Sequence, residues 1–437
     1  MTVSVFYPGQ TDYLDLLNQL WEAAIVGTND IGVAGGQGFG VGVCPDVPAG
    51  YSELAGTGLR SSDNFGNYQY SDGSIMVWVP AFYYKIGTGA NGFALNLIDI
   101  KAYGHFANTA AAAASGYALH RAFYDGGVEQ RGVFVDKYLC SNNSGTASSI
   151  YLGNPLSSAA GNNPFSGLTG APADNYGGAI AAAHTRGGLF FCNSRFIFSA
   201  LAMLSLAHGQ ASGSTTYCAW YSAGTTNFPK GNNNTLVDVN DVAVTFTAGS
   251  YASQSKAGSG VTLAKTTHNG QNCGIADLNG NLWEITPGLT SNGTNYYILN
   301  STVAMKTVTG SNTLATDLWG ATGISAMYTA IGAAGVYQGA TAGDGSKGFG
   351  SASQVLSEAT SGQLSEWTGL GAPLTAGIGG SNLFGNDYWY VARPNELCPI
   401  SGGTWNTAAA AGAWALHLYY VRTTSDISVG FRAASYL

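Results

Sequence analysis

Glycine occurs at 63 of the 437 positions, about twice its usual share of roughly 7%, and it follows no three-residue period. The absence of that period excludes a collagen-like rod. Because glycine and asparagine accept the backbone angles of tight turns, such a chain suits packed loops better than long helices. Hydrophobic residues make up 45% of the sequence and aromatic residues 12%, which is enough to form a core and argues against disorder.

Charged residues are scarce, at 9% of the sequence against roughly 25% in an ordinary protein. The formal net charge of −8 is accompanied by no basic stripe that could neutralise phosphates, so we expect no nucleic-acid partner. No apolar run reaches the roughly 18 residues of a membrane-spanning helix. The N-terminus lacks the basic and apolar regions of an export signal. We therefore expect a soluble protein, made in a cytoplasm, with no membrane insertion.

The usual motifs of catalysis and metal binding are weak. The six cysteines lie far apart without a CxxC pair, which predicts buried or free thiols rather than a zinc site or a dense disulfide framework. The six histidines show neither HExxH nor clustered spacing and are expected to be structural. Residues 343–348 match GxGxxG, but no strand precedes them and no helix follows, so we interpret them as a turn.

The N-terminal region has the pattern of a short amphipathic helix, with Thr11 as its cap and Leu14, Leu17 and Trp21 at helical spacing. A helix this short cannot fold alone, so it docks on its own domain or, in the interpretation we favour, on another subunit. The glycine-rich stretch 32–42 is a linker or a tight-turn segment. These features predict an attachment or oligomerisation element over residues 1–35 and one domain over residues 36–437.

Few regular elements are predicted beyond this point. A strand is expected over residues 75–79, ended by Pro80 and followed by residues 82–84. The best helix is predicted over residues 196–208, with Ser194 as its cap and Gly209 at its end. A weaker helix is predicted over residues 110–114. Long tracts of Gly, Ser, Asn and Thr predict packed loops over residues 142–149, 161–173 and 339–353.

Oxygen-bearing side chains surround a glycine turn over residues 277–284. Together with turn carbonyl groups, they are hard ligands of the kind that Ca²⁺ prefers. The candidate ligands are Asp277, Asn279, Asn281 and Glu284. The alternative is a tight turn whose Asn and Asp side chains bond their own backbone, with Trp283 in the core.

The C-terminal region, about residues 380–437, has the composition of a recognition surface. Between Gly402 and Arg432, the residues Trp414, Leu416 and Leu418 alternate with other side chains. This period predicts a strand with one buried face, whose other face presents His417 and Tyr419. Tyr, Trp, His, Asn and Arg are residues that binding surfaces favour.

Three short motifs in order carry a resemblance to a known fold. Residues 280–284 (GNLWE), 402–405 (GGTW) and 430–432 (GFR) resemble the formylglycine-generating-enzyme branch of the C-type-lectin-like fold, in which GNxWE, GGSW and a terminal GFR follow one another. Residues 79–83 resemble its opening strand. The resemblance implies an irregular α+β domain with many packed loops, preceded here by the short N-terminal helix.

The catalytic residues of that branch are missing from this chain. Its copper-dependent oxidases use a pair of cysteines between the GGSW and GFR motifs, and residues 406–429 contain no cysteine. Its iron-dependent sulfoxide synthases use histidines on a separate helical domain, which nothing in the first 75 residues resembles. The resemblance therefore implies a fold that is used for binding rather than as an enzyme.

A second resemblance concerns the end of the chain. Residues 412–418 and 429–434 are similar to the variable proteins of diversity-generating retroelements, many of them phage tail-tip adhesins, which mutate solvent-facing positions on this segment. The apolar scaffold, which stays fixed, would be Trp405, Trp414, Leu416, Leu418 and Phe431. The ligand-binding set would be Asn406, Thr407, His417, Tyr419, Tyr420, Arg422, Thr424 and Asp426, with Tyr388, Trp389 and Tyr390 completing its rim.

These resemblances imply a phage receptor-binding protein at a tail fibre or tail tip of the virion, with a C-terminal pocket for a bacterial surface protein or glycan. The N-terminal segment would join other tail-fibre or baseplate proteins in a homo-oligomer, with a trimer favoured. Relatives bind Ca²⁺ near the GNLWE turn, which makes Ca²⁺ the one cofactor expected. Two alternatives are an enzyme of the same branch with an unrecognised metal site and a structural virion or cell-surface protein without receptor specificity.

Overall fold

The computed structural model describes residues 29–222, 230–251, 253–308, 324–331, 346–348, 369–372, 384 and 387–437. The predicted N-terminal helix lies outside these residues, and so does most of the predicted loop over residues 339–353. Within the described part of the chain, no helix is long and apolar enough to cross a membrane.

Four α-helices lie in the described residues. They are α1 (Thr109–Ala114), α2 (Tyr176–Ala183), α3 (Arg195–Ala211) and α4 (Ile324–Met327). The prediction of α3 is confirmed, and its cap is Ser194, whose hydroxyl accepts a hydrogen bond from the Ile197 N–H. The helix continues past Gly209 to Ala211, so Gly209 does not end it. The weaker helix α1 is confirmed as well.

The strands are short and numerous. In the first half of the chain they are β1 (Tyr51–Glu53), β2 (Asn67–Tyr70), β3 (Ile75–Pro80), β4 (Phe82–Ile86), β5 (Ile98–Ala102), β6 (Ala118–Leu119), β7 (Tyr124–Asp125), β8 (Val128–Glu129), β9 (Gly132–Asp136), β10 (Ser141–Asn143), β11 (Thr146–Ser148) and β12 (Phe191–Cys192). In the second half they are β13 (Trp283–Ile285), β14 (Leu289–Ser291), β15 (Tyr296–Leu299), β16 (Tyr328–Ala330), β17 (Ser346–Gly348), β18 (Tyr388–Tyr390), β19 (Ile400–Ser401), β20 (Leu416–His417), β21 (Val429–Gly430) and β22 (Ala433–Ser435). The described residues form mostly β-structure with few helices, as in the α+β class.

Sheet 1 joins the beginning of the domain to the end of the chain. Its order is β1–β2–β3–β9–β22–β12, and every neighbouring pair is antiparallel. The predicted strand over residues 75–79 is confirmed as β3. The prediction of a loop over residues 142–149 is wrong, because β10 and β11 form a hairpin there. Ser144 and Gly145 take positive φ at its tip, so the polar residues that suggested a loop make only the turn.

Sheet 2 brings the three sequence motifs together, in the order β17–β18–β20–β19–β13–β21. Strand β13, which ends the GNLWE motif, pairs with β19 on one side and with β21 on the other. The GGTW motif directly follows β19, and the GFR motif begins in β21. Three small sheets, β14–β15–β16, β5–β4–β6 and β7–β8, complete the described pairing outside the β10–β11 hairpin.

Four buried charged residues connect the two large sheets: Glu284, Arg432, Asp136 and Arg186. The Glu284 carboxylate accepts hydrogen bonds from Nε and Nη2 of Arg432, both at 2.6 Å. Arg432 also donates to the main-chain oxygen of Asp136 at 3.1 Å. The Asp136 carboxylate in turn accepts two bonds from Arg186, at 2.5 and 3.0 Å. Bidentate pairs of this kind are strong and fix geometry, so we call these four residues the ionic framework.

The glycine-rich stretch 32–42 forms tight turns inside the domain. Ile31, Phe39 and Val41 are fully buried in the main core, and Gly32 and Gly40 are among the glycines there with positive φ. A Cβ on Gly40 would lie 2.9 Å from the His268 ring. These contacts favour the tight-turn interpretation of this stretch. The separate role assigned to residues 1–35 stays a prediction.

Candidate ligand-binding surface

Two parallel strands of sheet 2 position the aromatic residues of the C-terminal region. Strands β18 and β20 pair so that Trp389 lies beside Leu416 and Tyr390 lies beside His417. Because side chains alternate along a strand, Trp389 and Leu416 face the core while Tyr390 and His417 face the other way. The Leu418 N–H donates to the Tyr390 main-chain oxygen at 2.9 Å and extends the pairing.

Four rings meet on the outer face of these strands: Tyr390, His417, Tyr419 and Tyr420. The rings of Tyr390 and His417 stack at 4.7 Å with 10° between their planes. Tyr419 stands edge-on to both, at 5.9 and 6.2 Å. Tyr420 lies 5.2 Å from His417 on another side. Stacked and edge-to-face contacts at these distances are favourable, so the rings support one another. We call these four residues the aromatic cluster.

The aromatic cluster is partly open to solvent and rests on buried residues. Tyr419 is 54% exposed and the other three rings are half-buried. Below them, the buried Trp283 lies 5.7 Å from His417. Since β13 carries Trp283 between two other strands, the base of the cluster is held by the sheet itself.

Burial favours the uncharged forms of His417 and Tyr420. It lowers the pKa of His417 to about 4, because the protonated ring would lose its hydration. Burial and then the nearby charge of Asp426 raise the pKa of Tyr420 to about 12. The Tyr420 hydroxyl donates to Asp426 at 3.4 Å. The surface therefore offers ring faces, hydroxyl groups and a neutral imidazole, with Asp426 at its edge.

Such a surface can bind a ligand by stacking and hydrogen bonding. Tyrosine gives a large contact area with few rotatable bonds, so little side-chain entropy is lost when a ligand orders it. Rings that already restrain one another by stacking lose even less side-chain entropy on binding. A ligand with a flat or ring-shaped apolar face and hydroxyl groups, such as a sugar or an aromatic side chain, fits this chemistry.

Two of the predicted ligand-binding residues, Trp389 and Arg422, are buried behind the surface rather than exposed on it. Trp389 is fully buried, and its Nε1–H donates to the Trp414 main-chain oxygen at 2.9 Å. Arg422 is also buried. Its guanidinium lies 4.8 Å from the centre of the Tyr176 ring on α2 and donates a hydrogen bond to the Thr290 hydroxyl. Both side chains support the surface from behind.

The remaining predicted residues surround the cluster to different degrees. Tyr388 is half-buried on β18, and its alternation with Trp389 turns it to the same side as Tyr390. Asp426 is held by two hydrogen bonds from Ser428 and one from Tyr420. Thr424 is half-buried, in a turn closed by its N–H on Val421.

Asn406 and Thr407 lie with a different part of the structure. Asn406 is exposed, and the Thr407 hydroxyl accepts the Thr404 N–H at 3.0 Å. Just before them, the Trp405 N–H donates to the main-chain oxygen of Asn281, so this part of the chain packs against the GNLWE turn. The structure joins neither residue to the aromatic cluster through a described contact.

Comparison with known proteins gives weak likenesses. No protein-family model and no curated protein sequence matches this chain. A solved structure titled "Major Tropism Determinant M1 Variant" is similar over 83% of this chain and 63% of its own, with a TM-score of 0.31 and 12% identity. A second, titled "Major Tropism Determinant U1 Variant", covers 84% and 65%, with a TM-score of 0.29 and 12% identity. This chain thus spans less than two thirds of their length. Because both TM-scores are low, we draw no conclusion about fold or function from these likenesses.

Three of the four candidate Ca²⁺ ligands have partners within the protein, whereas the buried side chain of Asn279 forms no described hydrogen bond. Asp277 accepts the Gly258 N–H at 2.6 Å, and the Asn281 side chain makes two hydrogen bonds to the Ser255 backbone. Glu284 is paired with Arg432, while Asn279 is buried. In the described part of the chain, no three His, Cys, Asp or Glu residues are grouped as a metal site requires. The contacts favour the tight turn, with Trp283 buried as expected, and Ca²⁺ binding stays a prediction.

The cysteine prediction is confirmed, whereas no sequence pattern predicted the ionic framework. All six cysteines are buried free thiols. Asp136 and Arg186 were not predicted to be buried, because charged residues ordinarily lie at the surface. The one available signal was their setting, since Asp136 directly follows the apolar run Val133–Phe134–Val135.

Proposed function

We propose that this protein is a receptor-binding adhesin of a phage tail fibre or tail tip, and that its aromatic cluster binds a ligand on the bacterial surface. The observation that carries the proposal is the cluster itself. Four mutually packed rings, one of them the 54% exposed Tyr419, stand on a buried and hydrogen-bonded base. Half-exposed rings on a rigid base are typical of recognition surfaces.

The C-type-lectin-like fold is part of this proposal. Its support is that the GNLWE, GGTW and GFR motifs meet at β13, β19 and β21 and that Glu284 pairs with Arg432. An ordered set of motifs that converges in space supports a shared fold better than the same motifs scattered would. The formylglycine-generating branch within that fold is proposed on the same ground.

We propose binding rather than catalysis as the role of this site. The segment between the GGTW and GFR motifs contains no cysteine, so the copper-binding pair of the resembling oxidases has no counterpart. The aromatic cluster adds no nucleophile with an adjacent base to that segment, as its one histidine has a pKa of about 4.

We propose several further properties that follow from a role as an adhesin. The protein would lie in the virion as a homo-oligomer, with a trimer favoured, and the N-terminal segment, residues 1–35, would join it to other tail-fibre or baseplate proteins. Presenting several copies would multiply weak contacts into stable attachment. Diversification of the exposed C-terminal residues by a retroelement and Ca²⁺ binding near Asp277 belong to the same proposal.

Binding of labelled protein to a panel of fixed bacterial cells tests the proposal. Wild-type protein is compared with a Tyr390→Ala, Tyr419→Ala double variant. Tyr151→Ala is the matched control, because Tyr151 is 55% exposed, as Tyr419 is, but lies outside the cluster. We expect wild type and the control to bind the same strains and the double variant to lose binding while remaining folded. Equal binding of all three, or binding of wild type to no strain, would contradict the adhesin.

A further inference from the structure

A lysine and an aspartate that lie 157 positions apart in the sequence meet inside the protein. The Lys230 ammonium contacts the Asp387 carboxylate. The side chains are 1% and 0% exposed, so water reaches neither partner. Most lysines and aspartates remain at the surface, and a pair buried this completely calls for an explanation.

The neighbours of the pair hold it in position. The second carboxylate oxygen of Asp387 accepts the Trp414 N–H at 3.0 Å. Glycine at position 412 leaves room for that carboxylate, because a Cβ there would overlap it. On the other side, the Lys230 main-chain N–H donates to Asp238, which is itself buried. The Asp387 carboxylate is therefore fixed by a main-chain donor, and the main chain of Lys230 is fixed by Asp238.

Burial makes a charged Lys230–Asp387 pair costly. Moving a separate ammonium and carboxylate out of water is costly, and transfer of one proton from lysine to aspartate removes both charges. Burial lowers the pKa of Lys230 to about 7, so its neutral amine is accessible near neutral pH. A neutral amine is a nucleophile, and a protonated carboxyl can lose its hydroxyl group.

We propose that Lys230 and Asp387 condense into an intramolecular isopeptide bond. After one proton passes from the ammonium to the carboxylate, the Lys230 Nζ lone pair attacks Cγ of Asp387 and an N–C bond forms. The C–O bond to the carboxyl hydroxyl then breaks, and the hydroxyl leaves with a proton from the nitrogen as water. The products are one amide and one water, with no oxidant or further reactant.

The position of the bond suits a protein that must resist force or proteolysis. It would link the segment at residue 230 to sheet 2 just before β18, which carries part of the aromatic cluster. A covalent closure of so long a segment restricts the unfolded chain and therefore favours the folded one. The inference is independent of the proposed function, since it concerns the chemistry of the pair alone.

The mass of denatured, full-length wild-type protein tests the bond directly. We expect a mass lower than that of the sequence by one water molecule. Trypsin should fail to cut after Lys230 and should release one branched peptide that joins residues 196–256 to residues 348–422, in which Arg393 is protected by Pro394. A wild-type mass equal to that of the sequence, or linear peptides ending at Lys230, would overturn the proposal.

Two controls separate this bond from other losses of water. Lys265 and Asp241 form an ion pair at 3.0 Å, but their side chains are 25% and 32% exposed, so trypsin should cut normally after Lys265. Lys230→Arg keeps a positive charge but removes the amine, and its mass should equal that of its own sequence. Loss of water from this variant would also overturn the proposal.

Discussion

Arg432 and Tyr419 belong to the same short C-terminal segment, but their surroundings differ completely. Arg432 is fully buried and donates two hydrogen bonds to Glu284 in the ionic framework. Tyr419 is 54% exposed, and its ring makes edge-to-face contacts with Tyr390 and His417 in the aromatic cluster. The comparison teaches that this segment places charges where they fix the fold and uncharged rings where a ligand can reach.

The division explains how a sequence with 9% charged residues can be well ordered. Several of its few charges lie inside, where each pair fixes two distant parts of the chain. A surface residue that forms no such pair can change without loss of the fold. Substitutions in the two regions should therefore have separable effects on stability and on binding.

The largest effect is expected from Glu284→Gln, which breaks the ionic framework. Arg432 would keep its buried charge without a carboxylate partner, and loss of one member of a buried pair costs about 3–5 kcal/mol. We expect the free energy of unfolding in urea to fall by this amount, or the protein to fail to fold. Asp46→Asn is the control, because the Asp46–Arg131 pair is exposed and such pairs contribute about 1 kcal/mol or less. Similar losses in both variants would contradict the framework.

The aromatic cluster should show the opposite pattern. For the Tyr390→Ala, Tyr419→Ala double variant we expect cell binding to weaken by at least about tenfold, equivalent to about 1.4 kcal/mol. The free energy of unfolding should fall far less than in Glu284→Gln, since neither ring is fully buried. Titration of labelled protein on cells and urea unfolding measure the two quantities. A large loss of stability with unchanged binding would reverse our assignment of this region.

Acid should affect the cluster through His417. Its folded pKa of about 4 lies below the unfolded value of roughly 6.5, so the unfolded state binds a proton first as the pH falls. The stability that neutral His417 contributes is complete above about pH 6.5 and is lost towards pH 4. Urea unfolding of wild type and His417→Gln at several pH values isolates this residue from the other buried histidines. Equal pH dependence in the two proteins would show that His417 is not held neutral.

The smallest effect is expected from Tyr420→Phe, which removes a hydroxyl group and keeps the ring. Its hydrogen bond to Asp426 is long, at 3.4 Å, so we expect a change in stability of less than about 0.5 kcal/mol. Cell binding should be nearly unchanged if ring contacts dominate. A loss as large as that of the double variant would show that the hydroxyl group contacts the ligand.

Local sequence patterns predicted the elements that local interactions form. Ser194 and the apolar period after it predicted α3, and the run Ile75–Val79 predicted β3. Helix α2 was missed because its sequence, YGGAIAAA, has no polar face and two glycines, and it forms because it is buried on nearly every side.

The candidate site was predictable only in part, because sequence patterns report local structure and not contacts between distant parts of the chain. The alternation of residues 414–419 predicted that His417 and Tyr419 share a face, and they do. The same reasoning cannot reveal that Arg422 lies on Tyr176, because that contact joins distant parts of the chain. The Lys230–Asp387 contact escaped prediction on the same ground.

Oxidative footprinting of tyrosines tests the central claim most directly. Wild-type protein is labelled alone and after mixing with cell-envelope fragments of a strain that it binds, and the modified peptides are quantified. We predict that the fragments protect Tyr419, Tyr390 and Tyr420 from labelling and leave Tyr151, which is equally exposed, unprotected. Protection of Tyr151 without protection of Tyr419 would contradict the assignment of the aromatic cluster as the ligand-binding surface.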